Sequence, residues 1–362
     1  MSLNSREGVP LPRFLRNNVE STMRVARYYG KGDIRIEEMP VPEPGPGELT
    51  IRIKASGICG SDVMHWYRAG RGAAVLGHEI AGEVTAVGDG VDRYKVGDRV
   101  TASHHVPCNT CHYCLNDHHT VCDTLRRTNF YPGGFAEYVR LPSINVDRGV
   151  YLLPEELSFE EATFVEPLAC VYRGQRIAGM RTGVSVLVLG SGIAGLLHIQ
   201  LAVVLGASLV VAADLNRGRL EAARRLGAHE VVYAADDVAP VFRDLNKGRP
   251  ADIVILTTGA EKAVVQAFRS VDRGGTILFF APSGSGAAVP LPFDELFWRN
   301  EITLTSSYAA NYREHTTALE LIRQRKVNVR DMITHRLPLS ETARGFELVE
   351  RAGESLKVVI EP

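Results

Sequence analysis

Between residues 48 and 56 the chain reads ELTIRIKAS, with Leu49, Ile51, Ile53 and Ala55 alternating against Thr50, Arg52, Lys54 and Ser56. A period of two sends successive side chains to opposite faces, so the segment predicts a half-buried strand. Short apolar pieces punctuated by glycine follow: GHEIAGEVTAVG, VGDRVTA and GGFAEYVRL. They predict a compact β-rich unit reaching to about residue 150. Near residue 158 the texture changes. Ser158 followed by Glu161 has the spacing of a capping box and predicts a helix start. Beyond it, the apolar runs 184–189, 208–214, 251–258, 274–280 and 301–307 alternate with IAGLLHIQLAVVLG, GRLEAARRLG and EKAVVQAFRSV. Uninterrupted Val/Ile/Leu strands separated by helical segments predict a parallel sheet covered on both faces. The last fifty or so residues return to mixed character and end in the strand-like LKVVIE.

The fold class is therefore α/β, a doubly wound parallel sheet beside a β-rich unit. A length of 362 residues fits two domains better than one. Lys plus Arg number 41 against 42 for Asp plus Glu, a net charge of −1, which excludes nucleic-acid or membrane binding driven by bulk charge. No apolar run reaches the roughly 18 residues of a membrane span, and the first twenty residues lack the apolar centre of a secretory signal. The expectation is a cytoplasmic protein with reduced thiols, preceded by a loose arm over 1–22.

Gly190-Ser191-Gly192-Ile193-Ala194-Gly195 has the form G-x-G-x-x-G. It follows an apolar strand, opens an apolar helix, and has Asp214 closing the next strand nineteen residues after Gly195. Gly190, Gly192 and Gly195 permit a tight turn and close approach of a pyrophosphate to the helix N-terminus, while Asp214 suits ribose hydroxyls and repels a 2′-phosphate. This predicts a dinucleotide, NAD in preference to NADP. Arg217 and Arg219 leave NADP open, and Arg219 joins the cofactor-binding candidates.

Of six cysteines, Cys108, Cys111, Cys114 and Cys122 follow C-x2-C-x2-C-x7-C. Four thiolates so close predict a closed, structural zinc, with an iron–sulfur cluster as the alternative. Cys59 lies in GICGSD, and His78 and Glu79 in GHE. Each alone has a plain structural explanation.

The order GICGSD, GHE, four-cysteine lobe, GGFAEY, EPL and G-x-G-x-x-G resembles the zinc-dependent medium-chain dehydrogenases, in the polyol and threonine dehydrogenase branch. The resemblance covers nearly everything after the arm. It implies a GroES-like catalytic domain over 23–170 and 310–362, with its zinc lobe at about 104–125, and a Rossmann domain over 171–309. It implies catalytic-zinc ligands at Cys59, His78 and Glu166, with Cys170 the rival for Glu166. Glu79 becomes an exchangeable ligand or nearby anion, Asp62 the carboxylate orienting His78, and Ser61 the hydroxyl taking the alcohol proton. It further implies two zincs per chain, NAD, a small-molecule alcohol or ketone substrate, and a homodimer or homotetramer.

The chain also departs from that pattern. Met64 stands where a relay histidine is usual, and His65 is one residue on, turned by about 100° if the segment is helical. His105 matches an active-site histidine of threonine dehydrogenases, whereas His104, His112, His118 and His119 read as solvated lobe residues. Ser306-Ser307-Tyr308 stands where sorbitol dehydrogenases carry an arginine, and the loop bearing Trp66, Tyr67 and Arg68 is compact. Lys357 reads equally as a partner of Glu79 or as a surface lysine. The expected activity is reversible oxidation of a secondary alcohol, with a carbonyl or enone reductase as the alternative. A zinc-binding interaction module or a non-catalytic NAD sensor explains the lobe or the fingerprint, but not Cys59, Ser61, His78 and Glu166 as a set.

Overall fold

The computed structural model describes residues 22–70, 72–284 and 286–362. The expected arm therefore lies outside the described residues except for Thr22, which opens the strand Thr22–Gly30. Six strands form the parallel sheet: Ser185–Leu189, Leu209–Asp214, Glu230–Tyr233, Ala251–Leu256, Val271–Phe279 and Thr303–Ser306. Numbered in chain order they lie 3-2-1-4-5-6, every pair parallel. The order reverses between the first and fourth strands, which opens a crevice at their carboxyl ends.

Their apolar runs are continuous because both faces are covered. Val186 and Val188 enter one core and Leu187 and Leu189 the other. The third strand, EVVY, lies outside the five predicted runs; it is a four-residue edge strand with a single buried position. The core on one face also takes in Leu168 and Val171 from the helix Val165–Ile177, and Ala318 and Ile322 from the helix Tyr312–Arg323.

The second unit is built on the strand Leu49–Gly57, flanked by Glu79–Val87 on one side and by Tyr138–Leu141 and Lys357–Glu361 on the other. Alternation in this strand predicts a solvated face; Arg52 is exposed and Lys54 half-buried, but Thr50 and Ser56 are 2% and 0% exposed. The helix Phe159–Ala162 packs against this strand. The Thr50 hydroxyl meets its hydrogen-bonding need by donating to the Pro42 carbonyl. The capping box forms as predicted: Ser158 Oγ accepts from the Glu161 N–H and Glu161 Oε2 from the Ser158 N–H. The helix it starts is short, Phe159–Ala162, and the longer helix Val165–Ile177 follows. Among the described residues no helix is long and apolar enough to cross a membrane.

Candidate active site

After the strand Leu49–Gly57 the chain passes Cys59 into one 3-10 turn, Gly60–Asp62. The turn is closed by its own carboxylate, since Asp62 Oδ2 accepts from the Cys59 N–H at 3.0 Å. Asp62 is fully buried, and its Oδ1 lies 3.1 Å from Arg68 Nη2 and 3.7 Å from His78 Nδ1. Ser61 Oγ donates to Cys59 Sγ at 3.4 Å. Glu79 opens the neighbouring strand and pairs in register with Gly57. The fold thus brings ligand atoms of Cys59, His78 and Glu79 within 4.8 Å of one another.

Glu79 is not free. It forms a buried ion pair with Lys357, whose side chain is fully enclosed, so the surface reading of that lysine is excluded. Gly57 makes the room: a Cβ there would come within 2.6 Å of Lys357 Cε. The Phe164 ring lies 5.3 Å from Lys357 Nζ, within cation–π range.

Glu166 stands outside this three-atom group, although it was expected within it. It occupies the first turn of the helix Val165–Ile177 and accepts a hydrogen bond from Cys170 Sγ at 3.4 Å. Burial pushes its carboxyl up, against the pull of His78. For His78 burial works downward, but the charges of Asp62, Cys59 and Glu166 outweigh it and hold the imidazole well above its usual range. Burial also pushes the Cys170 thiol up, helped by Glu166. Anionic donors crowded around one imidazole make a cation site, and the mixed S/N/O set fits a zinc with an open position.

Three histidine readings are corrected or sharpened. His65 is engaged away from the metal ligands: Nδ1 lies 3.1 Å from the Tyr28 hydroxyl and Nε2 3.2 Å from Glu350 Oε1. The offset from position 64 has turned it into another cluster. His104 is not a solvated lobe residue; its ring lies 4.7 Å from His78 and 3.8 Å from His105, with Nδ1 buried and unpartnered. His105 Nδ1 meets the Thr128 carbonyl at 2.9 Å, its ring is 6.2 Å from Tyr308, and burial lowers its pKa to about 4. Sequence reasoning also missed Arg68 as a partner of Asp62; its only signal was spacing, six residues on across a turn and one helical step.

In the lobe, the Sγ atoms of Cys111 and Cys114 and those of Cys108 and Cys122 are 3.6 Å apart, and those of Cys108 and Cys114 4.0 Å. Zn–S bonds of about 2.3 Å in a tetrahedron place sulfurs about 3.8 Å apart, whereas a disulfide needs about 2.05 Å. The geometry fits the metal. Amide donors, that of Thr110 first, bring the Cys108 thiol down to about 5, while burial lifts Cys114 to about 12.

At the glycine-rich turn, Gly190 adopts φ +99°, and a Cβ on it would meet Thr257 Oγ1 at 2.7 Å. A Cβ on Gly195 would strike the Gly190 carbonyl, so the helix Ile193–Val204 could not close onto the strand. Asp214 Oδ2 accepts from the Ser191 N–H at 2.6 Å and Oδ1 from the Asn216 N–H at 2.7 Å. The Arg219 guanidinium lies 3.6 Å from the place of a Cβ on Gly192. Ser191 Oγ and Arg219 Nε are buried without a protein partner. Orphaned donors around a side-chain-free cradle fit a dinucleotide phosphate.

Residues 45–151 match the family model of the alcohol dehydrogenase GroES-like domain, and residues 194–324 that of the zinc-binding dehydrogenases. The sorbitol dehydrogenase of Bacillus subtilis (strain 168) is 30% identical over 360 residues, covering 96% of this chain and 99% of that protein. An alcohol dehydrogenase from Thermus sp. ATN1 superposes with TM-score 0.83 at 30% identity, covering 94% of this chain and 99% of the other. A zinc-binding dehydrogenase from Sinorhizobium meliloti 1021, bound to NADP, gives TM-score 0.85 at 28% identity, with 95% and 100% coverage. Two matched domains in the right order, on a fold that unites thiolate, imidazole and carboxylate, make this chain an oxidoreductase of the zinc-dependent medium-chain dehydrogenase family.

Proposed function

We propose that the chain is an NAD-linked, zinc-dependent dehydrogenase that reversibly oxidises a secondary alcohol, of the polyol, cyclitol or hydroxy amino acid class, to a ketone. The observation that carries this is the convergence of Cys59, His78 and Glu79 within 4.8 Å, beside the Ser61 hydroxyl. In this reading Cys59, His78 and Glu166 hold the catalytic zinc, and Cys108, Cys111, Cys114 and Cys122 the structural one. When bound, the metal supplies Lewis acidity toward the substrate oxygen, and the nicotinamide accepts the hydride. Asp62 fixes the ring of His78 through Nδ1. Ser61 Oγ would give up its contact with Cys59 Sγ to accept the substrate's hydroxyl proton while passing its own proton on toward the cofactor ribose and solvent. Glu79, paired with Lys357, is the nearby anion, and would become an exchangeable ligand only by leaving that lysine. His65 has no part in the relay.

Gly190, Gly192 and Gly195 admit the pyrophosphate, Arg219 supplies a cation beside it, and Asp214 takes the ribose hydroxyls; its carboxylate is what favours NAD. In this reading the chain divides into 23–170 with 310–362 and 171–309, and the metal ligands belong to the first unit at the cleft between the two. We also propose a homodimer or homotetramer in the cytoplasm. The oligomer is supported by the edge strand Thr303–Ser306 and by Phe293 and Trp298, 65% and 73% exposed, just before it in the chain. The test is NADH formation across a panel of polyols, cyclitols, β-hydroxy amino acids and simple secondary alcohols, with metal analysis on the same preparation. Two zincs per chain and turnover on one class are expected. An active enzyme with one zinc would remove the open-site assignment. Ser61→Ala should lower kcat at least tenfold while leaving NADH affinity unchanged.

A further inference from the structure

Asp62 has more work than orienting His78. Its carboxylate has no exposed surface, and three groups from three places in the chain meet it. The Cys59 N–H is on Oδ2 at 3.0 Å, while His78 Nδ1 at 3.7 Å and Arg68 Nη2 at 3.1 Å share Oδ1. Arg68 does not stop there. Its Nε donates to the Ser61 carbonyl at 3.2 Å, so one guanidinium bonds two successive residues of the turn, the Ser61 backbone and the Asp62 carboxylate. The side chain is 15% exposed, and its guanidinium carbon lies 5.1 Å from the Tyr67 ring centroid.

We propose that Arg68 is a positioning residue for the open metal site. It holds Asp62 midway between the Cys59 amide and the His78 ring, and so fixes the thiolate and imidazole in the spacing that a metal requires. Two bonds in a planar fork define where the carboxylate lies; a point charge defines only a distance. Without Arg68 the Oδ1 atom is shared with nothing but a histidine at 3.7 Å, and the Ser61 carbonyl loses a donor. Arg68 also ends the short helix His65–Arg68 bearing Trp66 and Tyr67, so displacement of that helix pulls on the Asp62 carboxylate.

The proposal rests on the metal reading above, and the experiment separates the two. The full-length chain is loaded with zinc and challenged with excess chelator, metal release being followed by a chromogenic dye. In parallel, Co(II) is placed in the open site and its visible absorption recorded. Partners of ligating side chains are commonly worth about 10- to 100-fold in metal affinity. Arg68→Ala should therefore release the faster metal at least tenfold sooner and alter the Co(II) bands, while the slower, four-cysteine metal is unchanged. Arg68→Lys, able to make one of the two bonds, should fall between it and the wild type. It also serves as the readout if the alanine variant does not fold. Two metals in the wild type, released at the same rate from wild type and both variants with unaltered Co(II) bands, would overturn the role of Arg68 alone. A wild-type chain holding only the slow metal would overturn the metal reading and this proposal with it.

Discussion

Replacing Lys357 by Met tests how the second unit is held together at its functional end. The lysine side chain is 0% exposed and Glu79 is 2% exposed, so neither charge is screened by water. Removing one member of a buried pair typically costs about 3–5 kcal/mol, because the other charge is left buried and uncompensated. At about 1.4 kcal/mol per tenfold, that lowers the folding equilibrium by roughly two to four orders of magnitude. The Met side chain fills the volume over Phe164 and beside Gly57, so little of the loss comes from a cavity. The assay is urea unfolding followed by circular dichroism, on metal-free and on zinc-loaded protein. In the metal-free protein K357M should show the full loss, and E79Q/K357M, with neither charge, should recover most of it. In the zinc-loaded protein the loss should be smaller, because the metal offers the stranded carboxylate a new counterion. A metal-free K357M variant within about 1 kcal/mol of wild type would refute the reasoning, since a buried unpaired carboxylate cannot be that inexpensive.

Asp214→Ser removes the charge facing the ribose and should improve the NADP/NAD ratio of kcat/KM by at least tenfold; an unchanged ratio would take cofactor choice away from this residue. Cys122→Ser should leave one zinc per chain and lower thermal stability, and a variant still holding two would contradict the closed four-thiolate site. His198 is fully buried and burial brings it down to about 3, against about 6.5 in an unfolded chain. Between those values the unfolded state binds the extra proton, so stability is intact above pH 6.5 and falls as pH drops toward 3. His198→Gln should remove up to about 1.4 kcal/mol per pH unit from the slope of unfolding free energy between pH 6 and 5; an unaltered slope would assign the acid sensitivity elsewhere.

What was legible in the sequence follows from how local each cause is. The strands Ser185–Leu189, Leu209–Asp214, Ala251–Leu256 and Val271–Phe279 announce themselves because burial on both faces demands apolar runs, whereas EVVY is a four-residue edge strand with one buried position. The capping box at Ser158 and Glu161 is readable because both of its hydrogen bonds lie within four residues. The four-cysteine lobe is readable for the same reason. The half-solvated face expected for Leu49–Gly57 holds only in part because periodicity reports polarity, not coverage. Thr50 and Ser56 are polar and buried, whereas Arg52 and Lys54 on the same face reach solvent as the alternation expects.

The open site belongs to the other kind of information. Cys59, His78 and Glu79 meet because Glu79 pairs in register with Gly57, and Lys357 joins them because Val359 pairs with the same glycine from the other side. A strand from the end of the chain thus brings its charge to one near the beginning, 278 residues away. No window of sequence contains that contact, and Lys357 at the head of an apolar run is as good a surface residue as a buried one. Family resemblance supplied the expectation of these ligands, which no local window of sequence carries. It had nothing to say of Arg68, whose partners are the turn it folds back on, or of His104, whose ring lies between those of His78 and His105. The residues that resemblance leaves unassigned, here the Arg68 fork and the ring against His78, are therefore where the chemistry particular to this enzyme is to be sought.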